Sequence, residues 1–403
     1  MKLFLFFTLI ILTPLLSAKY LTNKSCKECH EDIYYEYQSS YHSKTYFNDE
    51  LHRKVANAAS TKTYDCASCH MPAATNKKEL ESGKERPSKL FEEETDAISC
   101  FYCHQIGYVK QAHKKNIIYL SKKPEGYKPA MFGTLEDPDD SDKHEMLNNP
   151  IYKKNVCLGC HSHKRNSNDV MIFDAMKDNQ DSTECIKCHM PYANGSAEKM
   201  NKKGREEHHS HTFAGIHSID MRQKALDVTI NTHKSTIEVT LKNKMPHPLI
   251  IQAARLKYLQ LSLIREGKII WRNFKQSPLE DKQGTFVIQF LDKDNKPVVI
   301  PAFAYKRGFV NNLQANETKV LNYKTPEIKE GDTVKASFYV VLAKPSCSDV
   351  LSLKNNKLKT PLLMKEVIYK VTNVKRTVMT QLHLNAKELD LISDYILSYK
   401  GKK

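Results

Sequence analysis

From about residue 222 onward, apolar and polar positions alternate at period two, the pattern of strands with one buried face. DVTINTH and TIEVTLKN both alternate and are separated by a short turn. RLKYLQLSLIREGKIIWRNF reads as two strands around Glu266-Gly267, a hairpin signal. NETKVLNYKTP and DTVKASFYVVLAKP add runs rich in β-branched and aromatic residues. Strands at this spacing predict an antiparallel β-sandwich of about seven strands over residues 222–375. AKELDLISDYILSYK then repeats apolar residues three or four apart, which predicts a helix in a C-terminal helix and basic tail, 376–403.

The other end reads differently. MKLFLFFTLIILTPLLSAKY carries one lysine, an apolar run from Leu3 to Leu16 and the small pair Ser17-Ala18. That run is short for a membrane span and fits a signal peptide over residues 1–18. The expectation is an exported, periplasmic or extracellular protein.

Between residues 19 and 221 neither period persists. Segments such as PAATNKKELESGKERPSKLFEEE and SKKPEGYKPAMFGTLEDPDDSDK are charged and rich in Pro or Gly, and read as surface loops and short helices. What repeats is a pentapeptide: CKECH (Cys26, Cys29, His30), CASCH (Cys66, Cys69, His70), CFYCH (Cys100, Cys103, His104), CLGCH (Cys157, Cys160, His161) and CIKCH (Cys185, Cys188, His189). Export would make the 11 cysteines of the chain look like a disulfide framework, but only Cys347 falls outside these motifs. Zinc ribbons and thioredoxin-like pairs share the Cys-x-x-Cys spacing without requiring the histidine that follows it here every time.

The repeat is the attachment signature of c-type haem. On a helical turn, positions i, i+3 and i+4 share a face, so two thiols reach one porphyrin edge and the imidazole reaches the iron. Five such sites predict five covalently attached haems, with His30, His70, His104, His161 and His189 as proximal iron ligands. Five porphyrins within residues 19–221 would themselves form the apolar core, with helices and irregular segments wrapped around them. The fold class expected is thus α + β.

Haem also changes the meaning of charge. The formal net charge is +16. Ten propionates bring the mature protein to about +5 with ferrous and about +10 with ferric iron, counting them as ordinary carboxylates. The basic balance is then partly a counter-charge for haem, and no lysine stripe interleaved with aromatics points to nucleic acid.

Second axial ligands must come from the histidines outside the motifs: 42, 52, 113, 144, 163, 208, 209, 211, 217, 233, 247 and 383. Met71 and Met190 follow proximal histidines directly and cannot reach the far face of the same haem, which leaves histidine as the default. Here the chain resembles the soluble multihaem cytochromes c built like the tetrahaem electron carriers of ammonia oxidisers, many of which carry a C-terminal β-domain. The resemblance covers residues 26 to about 345. CKECHEDIYYEYQSSYHSKTY is similar to the family's first site and implies His42 as a distal ligand. ISCFYCH resembles its third site. GTLEDPDDSDKHEMLNNPIYKKNVCLGCH implies His144, and SHTFAGIH implies His211 and His217. VTLKNKMPHPLI implies His247, with Pro246 where the family has glycine. His163 and His52 stand next in line if His217 or His247 does not serve. His113 and His233 read as exposed loop residues, and Cys347 as a buried thiol.

The function expected is electron transfer through a chain of five haems, between a donor such as a quinol dehydrogenase or another cytochrome and a terminal reductase. Net positive charge suits an acidic docking partner. Two alternatives stand beside it. One is a reductase of a small nitrogen or sulfur compound with one open haem, although the Cys-x-x-Cys-Lys marker of the pentahaem nitrite reductases is absent. The other is a subunit of an extracellular cytochrome filament.

Overall fold

The computed structural model describes residues 20–121, 128–139, 141–176 and 184–372. The expected signal peptide and C-terminal helix lie outside the described residues. No described helix is long and apolar enough to cross a membrane.

The first half is built from short helices: α1 (Asn23–Lys27), α2 (Glu31–Ser39), α3 (Glu50–Ala59), α4 (Ala67–His70), α5 (Lys77–Ser82), α6 (Glu92–Thr95), α7 (Cys100–His104), α8 (Leu158–His161) and α9 (Cys185–His189). The helices follow the motifs. The backbone N–H of each of His30, His70 and His161 donates to the carbonyl of the first cysteine of its motif, at 2.9, 2.9 and 2.8 Å. The third and fifth motifs are helical from Cys100 to His104 and from Cys185 to His189. Side-chain caps set several of the starts: Thr22 accepts from Ser25 N–H ahead of α1, Ser99 from Tyr102 N–H ahead of α7, and Asp49 from His52 N–H ahead of α3.

Small two-stranded sheets separate the later motifs, where the sequence had suggested only loops and short helices. β1 (Ile106–Lys110) pairs antiparallel with β2 (Ile117–Leu120), and β3 (Ala130–Gly133) pairs parallel with β4 (Glu145–Asn148). β5 (His163–Arg165) pairs with β6 (Met171–Asp174), and β7 (Tyr192–Asn194) with β8 (Glu207–His209), both antiparallel. Strands this short have no period long enough to show in sequence. Their role is positional, because the carbonyls of Phe132 in β3 and His209 in β8 hold histidine rings.

After α10 (Ile219–Ala225) the chain becomes a β-structure: β9 (Leu226–His233), β10 (Thr236–Asn243), β11 (Leu256–Arg265), β12 (Lys268–Arg272), β13 (Thr285–Leu291), β14 (Pro297–Val298), β15 (Lys306–Asn311), β16 (Thr318–Lys324), β17 (Thr333–Val341) and β18 (Leu362–Lys370), with α11 (Pro345–Val350) before the last. One sheet has the order β16-β10-β9. The other runs β14-β13-β11-β17-β18, with β12 paired to β11 and β15 to β13. Alternation puts Ile237, Val239 and Leu241 of β10 inside, together with Val334, Ala336, Phe338 and Val340 of β17. Residues from both sheets meet in one continuous core. Each such side chain contributes about 1.5–3 kcal/mol on burial. Glu266 and Gly267, at φ 48° and 73°, make the two-residue turn between β11 and β12.

A second apolar cluster ties the halves together. Leu51 of α3 is buried among Ile300, Leu342, Ala343, Cys347, Leu351 and Leu358, with Val55 and Ala59 beside it. Polar contacts complete the clamp: Lys54 Nζ donates to the carbonyls of Leu351 and Ser352 at 2.8 and 2.7 Å. The Glu50 carboxylate accepts from the backbone N–H of Lys354 and of Asn355, both at 2.9 Å. Helix α3 is therefore held from the β side.

Candidate haem-binding site

Four of the five motif histidines face a second imidazole from far along the chain. His30 faces His144 with ring centres 6.2 Å apart, His161 faces His42 at 6.0 Å, His104 faces His211 at 6.1 Å, and His189 faces His247 at 6.2 Å. The ring planes of these pairs lie within 24–30° of each other. With metal–imidazole bonds of about 2.0–2.1 Å and about 1.1 Å from ring nitrogen to ring centre, two imidazoles trans on one metal ion have centres about 6.2–6.4 Å apart. Rings in direct stacking come far closer, as Tyr41 and His217 do at 3.5 Å. The gaps in the four pairs therefore fit one iron each.

Hydrogen bonds turn the rings the right way. His30 Nδ1–H donates to the Ala197 carbonyl (2.7 Å), His104 to Phe132 (2.6 Å), His189 to Ala214 (2.7 Å), His211 to His209 (2.8 Å) and His247 to Pro248 (3.0 Å). A ring that donates from Nδ1 keeps the lone pair on Nε2 for a metal. The Phe132 carbonyl comes from β3, which is what that short strand contributes. His163 instead donates from Nε2 to Ala112 at 2.8 Å, and His113 Nε2 meets Asp169 at 2.7 Å. Those two rings spend the nitrogen an iron would use.

The electrostatics agree with a ligand role. Burial pushes His42, His70 and His211 down to about 3 and His144 to about 4. His104, His161 and His247 are also lowered by burial. All are held as neutral imidazoles, the form that binds metal.

The cysteines link the motifs to one another. The thiols of Cys26 and Cys100, of Cys69 and Cys160, and of Cys157 and Cys185 act on one another across motifs. Cys103 lies within electrostatic reach of Cys157 and Cys160. Burial drives the Cys103 thiol up to about 11 and raises Cys66 as well. Cys26, Cys69 and Cys185 shift the other way, Cys69 to about 6 and Cys185 to about 7, because the neighbouring thiol favours the charged form of each.

His70 is the exception. Its ring neighbour is His52 of α3, with centres only 4.9 Å apart and planes 42° apart, closer than any of the four facing pairs. His52 Nδ1–H donates to the Asp49 carboxylate at 2.6 Å, so its Nε2 is the free nitrogen. His217, expected from the resemblance as a distal ligand, stacks on Tyr41 with planes 7° apart rather than on a motif histidine. Of the histidines near His211, His208 and His209 donate from Nδ1 to the carbonyls of Gly195 and Met190. Among the described residues no group of three or more His, Cys, Asp or Glu could hold a metal by itself. The sequence marked Tyr41 only as one of the aromatics interleaved with the haem sites and expected to pack on porphyrin, and it marked neither Asp49 nor Arg255. The one local signal was an aspartate three residues ahead of His52.

Residues 25–105 match the family model described as "Cytochrome c554 and c-prime". The chain is also similar to the crystal structure of a penta-heme cytochrome c552 from Thermochromatium tepidum, at 21% identity, over 87% of this chain and 99% of that one, with a TM-score of 0.68. A superoxide reductase in the oxidised state aligns over 36% of this chain and 88% of its own at 10% identity, and its TM-score of 0.17 carries no argument. No curated protein matches the chain. Together with the repeated motif, these likenesses define a multihaem c-type cytochrome. Such a protein binds c-type haem and transfers electrons between redox partners.

Proposed function

We propose that the protein is an exported, periplasmic electron carrier holding five c-type haems. The observation that carries this is the set of four facing imidazole pairs, each a motif histidine opposite a remote one at 6.0–6.2 Å. The cysteine pairs 26/29, 66/69, 100/103, 157/160 and 185/188 would form the thioethers. His30 with His144, His104 with His211, His161 with His42, and His189 with His247 would hold iron from both sides. When bound, a c-type haem supplies an iron that gains and loses one electron. The influence of these thiols on one another supports a neighbour order for the attachment sites: first beside third, third beside fourth, with the second and fifth each beside the fourth. The fourth site is then a branch point through which electrons cross the chain.

The β-region, two sheets closed on one core in the manner of a sandwich, serves that conduit by carrying His247 on the loop after β10. The apolar run from Leu3 to Leu16 with Ser17-Ala18 after it supports export, and the positive charge supports an acidic partner, either the donor cytochrome or dehydrogenase or the accepting reductase. A second reading has one observation in its favour. His70 faces no imidazole at the spacing of the other four, so its haem would be open on one side, as a reductase of a small nitrogen or sulfur compound requires.

EPR and electronic spectra of the oxidised holoprotein, before and after nitrite, hydroxylamine and cyanide, separate the two. Wholly low-spin iron unmoved by these ligands establishes the carrier with five doubly ligated haems. A high-spin fraction near one haem in five that shifts on addition establishes the open site.

A further inference from the structure

Asp49 connects the neighbourhood of His70 to residues from both halves of the chain. Asp49 and His52 come from the start of α3, Tyr41 and His217 form a stacked pair, and Arg255 stands just before β11. Asp49 and His52 both act on His70, and Asp49 and Arg255 both act on His217. Lys44 and Arg222 add further positive charge around His217. The Arg222 guanidinium is engaged by the Leu363 and Ile216 carbonyls, whereas Arg255 is not fully satisfied.

Arg255 is only 9% exposed. One terminal nitrogen donates to the Leu342 carbonyl, and its Nε is buried without a hydrogen-bond partner. Asp49, the carboxylate that acts on it, is already engaged twice by His52, through the backbone N–H at 3.0 Å and through Nδ1 at 2.6 Å. A buried cation left with a spare donor and no ion pair is unfavourable unless an acceptor fills the place. Burial and the nearby guanidinium hold His217 neutral, down to about 4, so it adds no competing charge.

We propose that Arg255, with the Tyr41–His217 pair beside it, anchors a small carboxylate-like oxyanion next to the iron held by His70. The planar guanidinium fork matches a group with two oxygens on one centre. Two sources supply that chemistry: a propionate of the haem at this site, or a free oxyanion of the nitrite class from solution. The inference rests on the reading that Cys66, Cys69 and His70 carry a haem. It gives the β-region a second task besides presenting His247.

The test uses the full-length holoprotein as wild type, Arg255→Gln and Arg255→Lys, with haem content as the check on assembly. Nitrite is titrated into oxidised protein by absorption and EPR, carbon monoxide into reduced protein as an uncharged control, and the haem midpoint potentials are measured. For a free oxyanion, nitrite perturbs one haem in the wild type. Arg255→Gln then weakens it at least tenfold, Arg255→Lys recovers part of the loss, and carbon monoxide binding stays unchanged. For a propionate, nitrite has no effect in any form, but one midpoint potential falls in Arg255→Gln, because loss of the cation favours ferric iron, and Arg255→Lys restores it. If Arg255→Gln changes neither nitrite binding nor any potential, Arg255 anchors no anion and the inference is overturned. Failure of the underlying reading shows separately, as an unchanged haem count in Cys66→Ala/Cys69→Ala.

Discussion

The two halves of this molecule bury apolar surface by different means. After Leu226, strands from two sheets close on one continuous core in which Leu241, Leu259, Phe286 and Phe338 are wholly buried. Before His217 the buried apolar residues fall into small separate groups, such as Tyr46, Tyr64, Met71 and Leu80 near the second motif, and Tyr102, Ile106, Tyr152 and Val156 near the third and fourth. Groups of that size do not stabilise a region so long and so poor in regular structure. The difference teaches what the first half lacks: on the proposed reading, its core is porphyrin and the chain is the wrapping. On the same reading the β-region, which has a continuous apolar core of its own, lends residues to the half that depends on haem.

The largest expected effect comes from removing one piece of that borrowed core. In Cys157→Ser/Cys160→Ser, intact mass and a pyridine haemochrome assay should show one haem fewer. Because the proposed reading sets this site beside three others, calorimetry should show the cofactor-dependent transition broadened and shifted well down in temperature. The β-region transition should stay where it was. A single transition moving as one would mean that the halves fold as a unit and the contrast is false. Next in size is His247→Ala, which removes a residue that the β-region presents to His189. One haem should turn high-spin by EPR while the five attachments and the strands persist.

How much of this could be read from sequence follows the same division. The motif turns were legible because Cys-x-x-Cys-His is local, and one helical turn fixes all three side chains. The hairpins β9–β10 and β11–β12 were legible because alternation over eight or so residues survives in sequence. β13, β14, β15 and β18 were not singled out. β14 has only two residues, and the outward face of β18 carries Leu363 and Ile368, which blur the alternation. The remote histidines could not be placed by spacing at all. The family resemblance proposed His42, His144, His211, His217 and His247, and the structure sets four of them opposite motif histidines. His217 goes to Tyr41 instead, in a neighbourhood set by Arg255 from the other half of the chain. No local pattern could signal that, since Arg255 and Asp49 are brought together only by the packing of α3 on the β side.

Within the β-region, Phe338→Ala should cost about 3–5 kcal/mol, because a wholly buried ring leaves a cavity that two sheets cannot collapse around. Haem content should be unchanged, which is the complement of the cysteine experiment. Chemical denaturation followed by Trp271, the single tryptophan of the chain, which packs against Tyr323, reads it directly.

The smallest effect tests whether the β-region's polar interior also stands apart from the haems. Lys257 is 1% exposed and its Nζ donates to the carbonyls of Leu249 and Ile250 and to Asn312 Oδ1, at 3.1, 2.6 and 2.8 Å. Burial pushes its pKa down to about 7, with Lys344 adding repulsion. In the unfolded chain the amine keeps its ordinary value of about 10.4. Between those two values the unfolded state holds a proton that the folded state has released, so stability rises with pH across that window and is flat, for this group, below it. From pH 7 to pH 9 the gain should be about 2–3 kcal/mol at about 1.4 kcal/mol per unit. Denaturation midpoints at the two pH values should differ in the wild type and converge in Lys257→Met. Equal slopes in both proteins would show that another group carries the pH dependence. Because only Pro248 separates His247 from Leu249 and Ile250, the same variants connect the comparison back to the haems. If the β-region only lends that histidine, the low-spin signal stays constant while stability changes.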